Sequence, residues 1–339
     1  MENVSVPNIN LTYNLTGGQI PISGELTVFA KATISLQMIL MVFIVSSNLL
    51  VLAALCRFQT LRDVTGLFVA NLAVADLIIG LSMPFQVAFF LYPEMERIKN
   101  LCILRYLVIT FACNASIYSL VCTVVDRLIA ISYPLHYAQI MTQTKAMFLI
   151  AAIWFIDIIF QSIPLFGVNN YDTSPFCLFE LVMNEQYRFV NFLSGLLFAF
   201  LMLLIYIRIF CIVRYHLRRI RAENAQNPSQ SQTRSSSQMN TVIAMVVLIF
   251  HISWLPFFIT ELTMIKAEDV TQQKVVVANF CVFPGLINSV VNPVIYAWKN
   301  KQYRSAFRKL LRLKAMHEDS TTISTVPDWS WMFLLKQRI

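Results

Sequence analysis

The sequence predicts an all-α membrane protein, a seven-transmembrane helix bundle with a short amphipathic cytoplasmic helix after span seven. Three observations carry this. Of 339 residues, 57% are hydrophobic and only 13% charged, with a mean hydropathy of +0.64; soluble domains average about 25% charged residues. Seven apolar stretches reach the roughly 20 residues that a helix needs to cross a bilayer: 33–57, 66–91, 102–134, 144–166, 187–215, 238–265 and 274–298. Finally, Asn288, Asn292 and Pro293 stand inside the last stretch. Asn needs hydrogen-bond partners there and Pro leaves a carbonyl unpaired, so such residues at membrane depth mark function.

Three regions follow: an extracellular glycosylated segment (1–30), the membrane bundle (31–300), and an amphipathic helix with a cytoplasmic tail (301–339). The first 30 residues contain no Lys or Arg, and neither do residues 167–187. The alternate loops carry Arg57 and Arg62, then Arg127 and Lys145, then Arg214, Arg218, Arg219, Arg221 and Arg234. Positive charge stays cytoplasmic, which places the N-terminus outside a plasma membrane and the tail inside. Acceptor sequons at Asn3, Asn10 and Asn14 agree; a fourth, at Asn114, falls within a span. No signal-peptide profile precedes span one, which is expected to serve as its own uncleaved signal. The formal charge of +8 sits beside apolar segments rather than on a soluble face, so it points to membrane lipids and not to nucleic acid.

Seven cysteines divide by position. Cys56, Cys113, Cys122, Cys211 and Cys281 lie in or at the ends of spans and read as small core residues. Cys102 opens span three and Cys177 lies in the second extracellular loop; both face an oxidising compartment, which predicts a disulfide between them. The Ser-, Gln- and Asn-rich stretch from Asn224 to Gln238 reads as a flexible linker, after a basic helical extension of span five over Arg214–Arg221. Beyond Trp298, Tyr303, Phe307, Leu310 and Leu311 alternate with Lys301, Arg304, Arg308, Lys309 and Arg312, the pattern of a helix lying on a membrane surface. The apolar stretch Pro327–Ile339 has no account at this level.

Several polar residues inside the spans need partners. Asp76 lies mid-span two, and Asn48, Ser116, Asn288 and Asn292 are the groups available to it. Its chemistry fits a small-cation site or a neutral carboxyl in a polar water network equally well. Asp126-Arg127 closes span three, as a releasable ion pair or as two charges reaching interfacial water. Trp254 and Pro256 place a large aromatic beside a kink-forming proline in span six.

Taken together, these residues resemble the rhodopsin-like (class A) G-protein-coupled receptors over about residues 30–314. Asn48, Asp76, Asp126-Arg127, Trp154, Trp254-Leu255-Pro256 and Asn292-Pro293-Val294-Ile295-Tyr296 match that family's motifs in order. Leu128 replaces the usual tyrosine, Ser253 stands where cysteine is common, and Phe198 takes the place of the span-five proline. The resemblance implies no enzyme. It implies an allosteric sodium ion held by Asp76, Ser116, Asn288 and Asn292, with Trp254 nearby and no other cofactor. It implies a switch comprising Asp126, Arg127, Trp254, Pro256, Asn292, Pro293, Tyr296 and Tyr206. The partners it implies are an extracellular small-molecule ligand and a heterotrimeric G protein, with arrestin and receptor kinases acting on Ser and Thr near 320–325.

Within the family, Cys177-Leu178-Phe179-Glu180, Tyr206-Ile207-Arg208-Ile209-Phe210 and the run Asn288–Tyr296 are similar to adenosine receptors. By that resemblance Phe179 stacks on a base and Glu180 accepts from its amine, a sound pairing of an aromatic face with an acceptor. The ligand set implied is Phe179, Glu180, Glu261, Ile109, Cys113, Phe258 and Leu286. The departures are specific. Glu261 replaces an asparagine that both donates and accepts; Gly285 and Leu286 replace polar ribose contacts; Phe258 replaces a histidine. Pro84 sits one residue nearer Asp76 than in adenosine receptors. Ile109, at the amine-receptor counter-ion position, argues against a monoamine, and the lack of lysine near Leu286 argues against retinal. Glu180 and Glu261 together favour a cationic ligand, unless they form a solvated rim paired with Lys266 or Lys274.

Other classes fit less well. A seven-helix transporter or pump should carry a charge relay across several spans, and only Asp76, Asp157 and Glu261 stand within them, with no internal repeat. Four histidines, none at ligand spacing, and no nucleophile–base pair leave no basis for a hydrolase.

Overall fold

The computed structural model describes residues 24–174, 176–226, 234–265 and 272–312. Seven helices in it are long and apolar enough to cross a membrane. They are span one, Gly24–Arg57; span two, Val64–Leu91; span three, Lys99–Ser132; span four, Gln143–Ser162; span five, Glu185–Gln226; span six, Arg234–Ile265; and span seven, Gln272–Lys299. A final helix, Lys301–Leu310, turns away from span seven. The sequons at Asn3, Asn10 and Asn14, Lys266, and the Ser and Thr near 320–325 lie outside the described residues.

Local signals start and stop these helices. Asp63 caps span two by accepting from the Gly66 N–H at 2.7 Å, and Thr142 caps span four. Asn300 accepts from the N–H groups of Gln302 and Tyr303 and so reopens a helix one residue after span seven ends. Gly66 is required where it stands: a Cβ there would lie 1.9 Å from the carbonyl oxygen of Leu61. Pro84, Pro256, Pro284 and Pro293 are all accommodated inside spans.

The outer faces are apolar, with Phe148, Phe155 and Phe166 among the exposed side chains, the surface that lipid covers. The interior is packed where spans three, five, six and seven meet, around Leu120, Val124, Met202, Phe250, Trp254 and Ile295. Tyr303 and Phe307 of the last helix are buried against Val51, Ala54 and Tyr296, while Leu311 falls beyond the helix and is exposed.

The disulfide Cys102–Cys177 forms, with a Cα–Cα distance of 5.9 Å. It pins the 167–184 loop to the start of span three, and Tyr106 Oη donates to the Cys177 carbonyl at 2.8 Å. One end of the bundle is therefore the disulfide end, and the other carries Arg127. One expectation changes. The Asn224–Gln238 stretch is helical wherever it is described, since span five runs to Gln226 and span six starts at Arg234. These residues continue the long apolar helices that flank them. Across Phe198, span five is one uninterrupted helix, and its ring meets Tyr118 edge-on at 4.7 Å.

Candidate functional site

Asp76 is fully buried at the meeting of spans two, three and seven. Its Oδ1 accepts from Ser116 Oγ at 2.9 Å and Ser289 Oγ at 2.8 Å, and its Oδ2 accepts from Asn292 Nδ2 at 3.1 Å. Ser289 was not anticipated from the sequence. Asn48 does not reach the carboxylate; its amide donates to the carbonyls of Ser289 and Ile44, both at 3.0 Å, and ties span one to span seven. Asn288 makes no bond to Asp76 either. Its Oδ1, like that of Asn292, is sealed from solvent without a donor. A buried carboxylate that accepts from two hydroxyls and from Asn292, whose own amide oxygen is orphaned, is a donor set that fits a small hard cation.

At the opposite end Asp126, also fully buried, is saturated. Arg127 donates to Oδ2 from Nε at 3.1 Å and Nη2 at 2.6 Å. Thr65 of span two donates to the same oxygen at 3.2 Å, and Tyr137 donates to Oδ1 at 2.6 Å. Tyr137 opens a short helix, Tyr137–Ile140, between spans three and four. Burial, and then its bond to Asp126, push the Tyr137 hydroxyl up to about 12, so it remains a donor. Thr65 and Tyr137 were missed, because nothing in the sequence places them beside Asp126. Among the described residues, Arg127, Tyr206 and Tyr296 share no hydrogen bond. Tyr206 packs against the central core, and Tyr296 lies 5.5 Å from the ring of Tyr303.

Trp254 is buried one turn below Phe258, with Phe257 edge-on at 5.5 Å and Phe250 at 6.2 Å. Its ring fills the space beside Gly285. Ile109 and Cys113 pack with buried Leu286, and Cys113 also touches the central core, so these three form an apolar wall. Phe258 faces Phe192 across spans five and six at 6.1 Å.

Phe179 and Glu180 begin a one-turn helix, Phe179–Val182, just after the disulfide. Phe179 meets Tyr106 edge-on at 5.5 Å. Glu261, in span six, is buried at 6% exposure. A third charge joins them: Arg188 of span five acts electrostatically on both Glu180 and Glu261. The described ion pairs are elsewhere, so neither carboxylate lies within 4.0 Å of that guanidinium. Arg188 Nε and Nη1 are nevertheless sealed without an acceptor. Burial raises the Glu180 carboxyl above its ordinary value, while its own backbone N–H and Arg188 pull it partly back. Of the two carboxylates, Glu261 is buried rather than part of a solvated rim, while Glu180 and Arg188 are half-buried.

A further polar cluster joins spans three, four and five. Asn114 Nδ2 donates to Asn191 Oδ1 at 2.8 Å, and Gln161 Nε2 donates to the same oxygen at 3.2 Å. Thr110 and Tyr187 both donate to Gln161 Oε1. Asp157 accepts from Gln161 at 3.3 Å through one oxygen, and its other oxygen has no partner. Nearby, Trp154 Nε1 donates to Asn71 Oδ1 at 2.7 Å and Asn71 donates to Ser119 at 2.6 Å, linking spans two, three and four.

The sequence matches the profile of the seven-transmembrane receptors of the rhodopsin family over residues 47–296. It is similar to the adenosine receptor A2b of Homo sapiens, at 29% identity over 82% of this chain and 89% of the relative. Similarity to the Homo sapiens adenosine receptor A2a is 28% over 84% of this chain and 73% of the relative, and to the Gallus gallus A2b receptor 27% over 82% and 87%.

Proposed function

The chain belongs to the rhodopsin family of seven-transmembrane receptors, and from that premise we propose that it carries the signal of an extracellular small molecule to a heterotrimeric G protein at the plasma membrane. It is a multi-pass membrane receptor, not an enzyme. The observation that carries the proposal is the pairing of two separate buried polar centres, Asp76 and Asp126, on opposite halves of one packed core.

The ligand enters at the disulfide end, beneath Phe179 and Glu180, and bears on Trp254 through Phe258. A ligand that binds one arrangement of span six better than another shifts an existing equilibrium. Pro256, two residues beyond Trp254, gives the helix a point at which to bend. At the other end, Arg127 leaves Asp126 as the cytoplasmic cleft opens, and Tyr206 and Tyr296 move with spans five and seven. Asp76, Ser116, Asn288 and Asn292, joined by Ser289, would hold a sodium ion. When bound, the ion supplies the positive charge that a buried carboxylate otherwise lacks. Arrestin and receptor kinases complete the partner set.

An adenosine-like ligand is the first candidate, supported by the relatives and by Phe179 with Glu180. A second reading, a charged ligand, is favoured by Glu261 and Arg188 and by the apolar wall of Ile109 and Leu286 where ribose contacts would be needed. Cyclic AMP measured in cells expressing the chain, with and without adenosine, beside an Arg127→Ala control, separates them. An adenosine response lost in the control supports the first; no response despite surface expression removes adenosine.

A further inference from the structure

Spans five and six face each other through Phe192 and Phe258, whose ring centroids lie 6.1 Å apart. Arg188 is four residues before Phe192, and Glu261 three residues after Phe258. Residues three and four apart share a helix face. Both charges are thus one turn nearer the disulfide end, at the same interhelical seam, and Glu180 of the loop acts on them electrostatically. Below the charges the seam is aromatic, with Phe192 and Phe258 in contact and Trp254 one turn further in.

The three charges are incomplete as they stand. Glu261 is nearly fully buried and makes no hydrogen bond or ion pair among the described residues. Arg188 turns two sealed nitrogens toward no acceptor. Truncating or stranding a buried charge is among the most costly defects a fold can carry. The two opposite charges act on each other yet form no ion pair within 4.0 Å, so donor and acceptor are each left without a protein partner. A lone amine would answer Glu261 and leave the guanidinium stranded. A lone acid would do the reverse and would meet the surplus negative charge of Glu180.

We propose that this site takes a small zwitterion, an amino acid-like molecule whose carboxylate is held by the fork of Arg188 and whose ammonium lies between Glu261 and Glu180. The guanidinium presents paired N–H groups that match a carboxylate. An ammonium offers three donors to two carboxylates. The aromatic side chains below the charges limit the length between the two ends. This inference rests on the charged-ligand reading of the same pocket and gives that reading a chemical class.

The test is thermal unfolding of the purified receptor in detergent with glycine, β-alanine and 4-aminobutyrate, beside butylamine, butyrate and adenosine. No G protein is needed, so a receptor that binds without signalling fails the coupling proposal and not this one. A zwitterion of one favoured length should raise Tm by about 3 °C or more at saturation, with neither butylamine nor butyrate reproducing it. Arg188→Lys keeps the charge and loses the fork, and should weaken the apparent affinity about tenfold. Glu261→Gln should abolish the shift, and unliganded unfolding of each variant reports whether it is folded. No shift with any of the three zwitterions overturns the assignment. So does a shift unchanged in both folded variants, or one produced by adenosine alone.

Discussion

Trp254 lies so close to Gly285 that a Cβ on the glycine would stand 2.8 Å from Cε2 and 2.9 Å from Cδ2 of the indole. Span seven gives up a side chain at the level where span six places its largest one. In adenosine receptors this position is polar by resemblance; here the backbone of Gly285 serves as a wall for the tryptophan.

Gly285→Ala should therefore destabilise the receptor, although alanine is the better helix former by about 1 kcal/mol. Overpacking of this kind costs about 1–3 kcal/mol. The expected result is a lower Tm and a changed basal signal, because Trp254 must shift. An unchanged Tm would mean that the indole has room elsewhere.

Tyr137→Phe removes the one donor to Asp126 Oδ1 and leaves Arg127 and Thr65 to hold the other oxygen. Basal G-protein activation, read as nucleotide exchange, should rise about two- to tenfold, in keeping with the roughly 0.5–1.5 kcal/mol of a net hydrogen bond. Since the Tyr137 hydroxyl is pushed up to about 12, the difference between wild type and variant should be constant from pH 6 to about 9.

Cys102→Ser frees the loop across a sequence separation of 75 residues. Disulfide loss of this kind costs about 2–5 kcal/mol. Surface expression should fall sharply, and a reductant should lower the Tm of wild type but not of the residual variant.

Sodium should raise the Tm of the purified receptor relative to choline at equal ionic strength. Asp76→Asn should remove that difference while leaving the protein folded, because the amide keeps an oxygen for the Ser116 and Ser289 hydroxyls. Equal sodium sensitivity in the variant would exclude Asp76 as the ligand.

The Glu180 carboxyl is raised in the folded protein by burial. The folded state then binds its proton more tightly than the unfolded chain, so Glu180 lowers stability as pH rises above the ordinary carboxylate range. Glu180→Gln should raise Tm at pH 7 to 8, and the gain should vanish near about pH 4. A gain independent of pH would point to packing rather than charge.

The seven crossings were legible because an apolar run of the right length has few other uses, and the Cys102–Cys177 bridge because both cysteines sit at one end of the bundle. The Asp76 group was legible by residue type but not by partner: Ser289 was overlooked beside Asn288, since neighbours on a helix point in different directions. Arg188 escaped because the arginine-free stretch ends at residue 187, one position before it, and a charge at a helix end resembles an interfacial anchor. Asp157 looked isolated. Its one described partner, Gln161, lies a turn away on the same helix; Thr110, Tyr187 and Asn191, which complete the cluster through Gln161, belong to other helices, whose rotation the sequence does not specify. The Asn224–Gln238 stretch shows the converse error, where polar composition concealed helical ends.

Span four has only Ala146, Asp157 and Gln161 buried. Two of the three are polar, and hydrogen bonds tie the helix through Trp154 to Asn71 and through Gln161 to Tyr187, Thr110 and Asn191. Lipid tails are as apolar as leucine, so the outer face of this helix gains nothing by leaving the bilayer for the bundle. Its docking combines directional bonds with ring contacts to Phe111 and Tyr187 and a small apolar patch around Ala146. During biogenesis such a segment inserts as an independent helix and joins the others only when its rotation brings Trp154 and Gln161 into register. A single error at either residue would leave span four inserted but unassembled, a defect for quality control rather than for signalling.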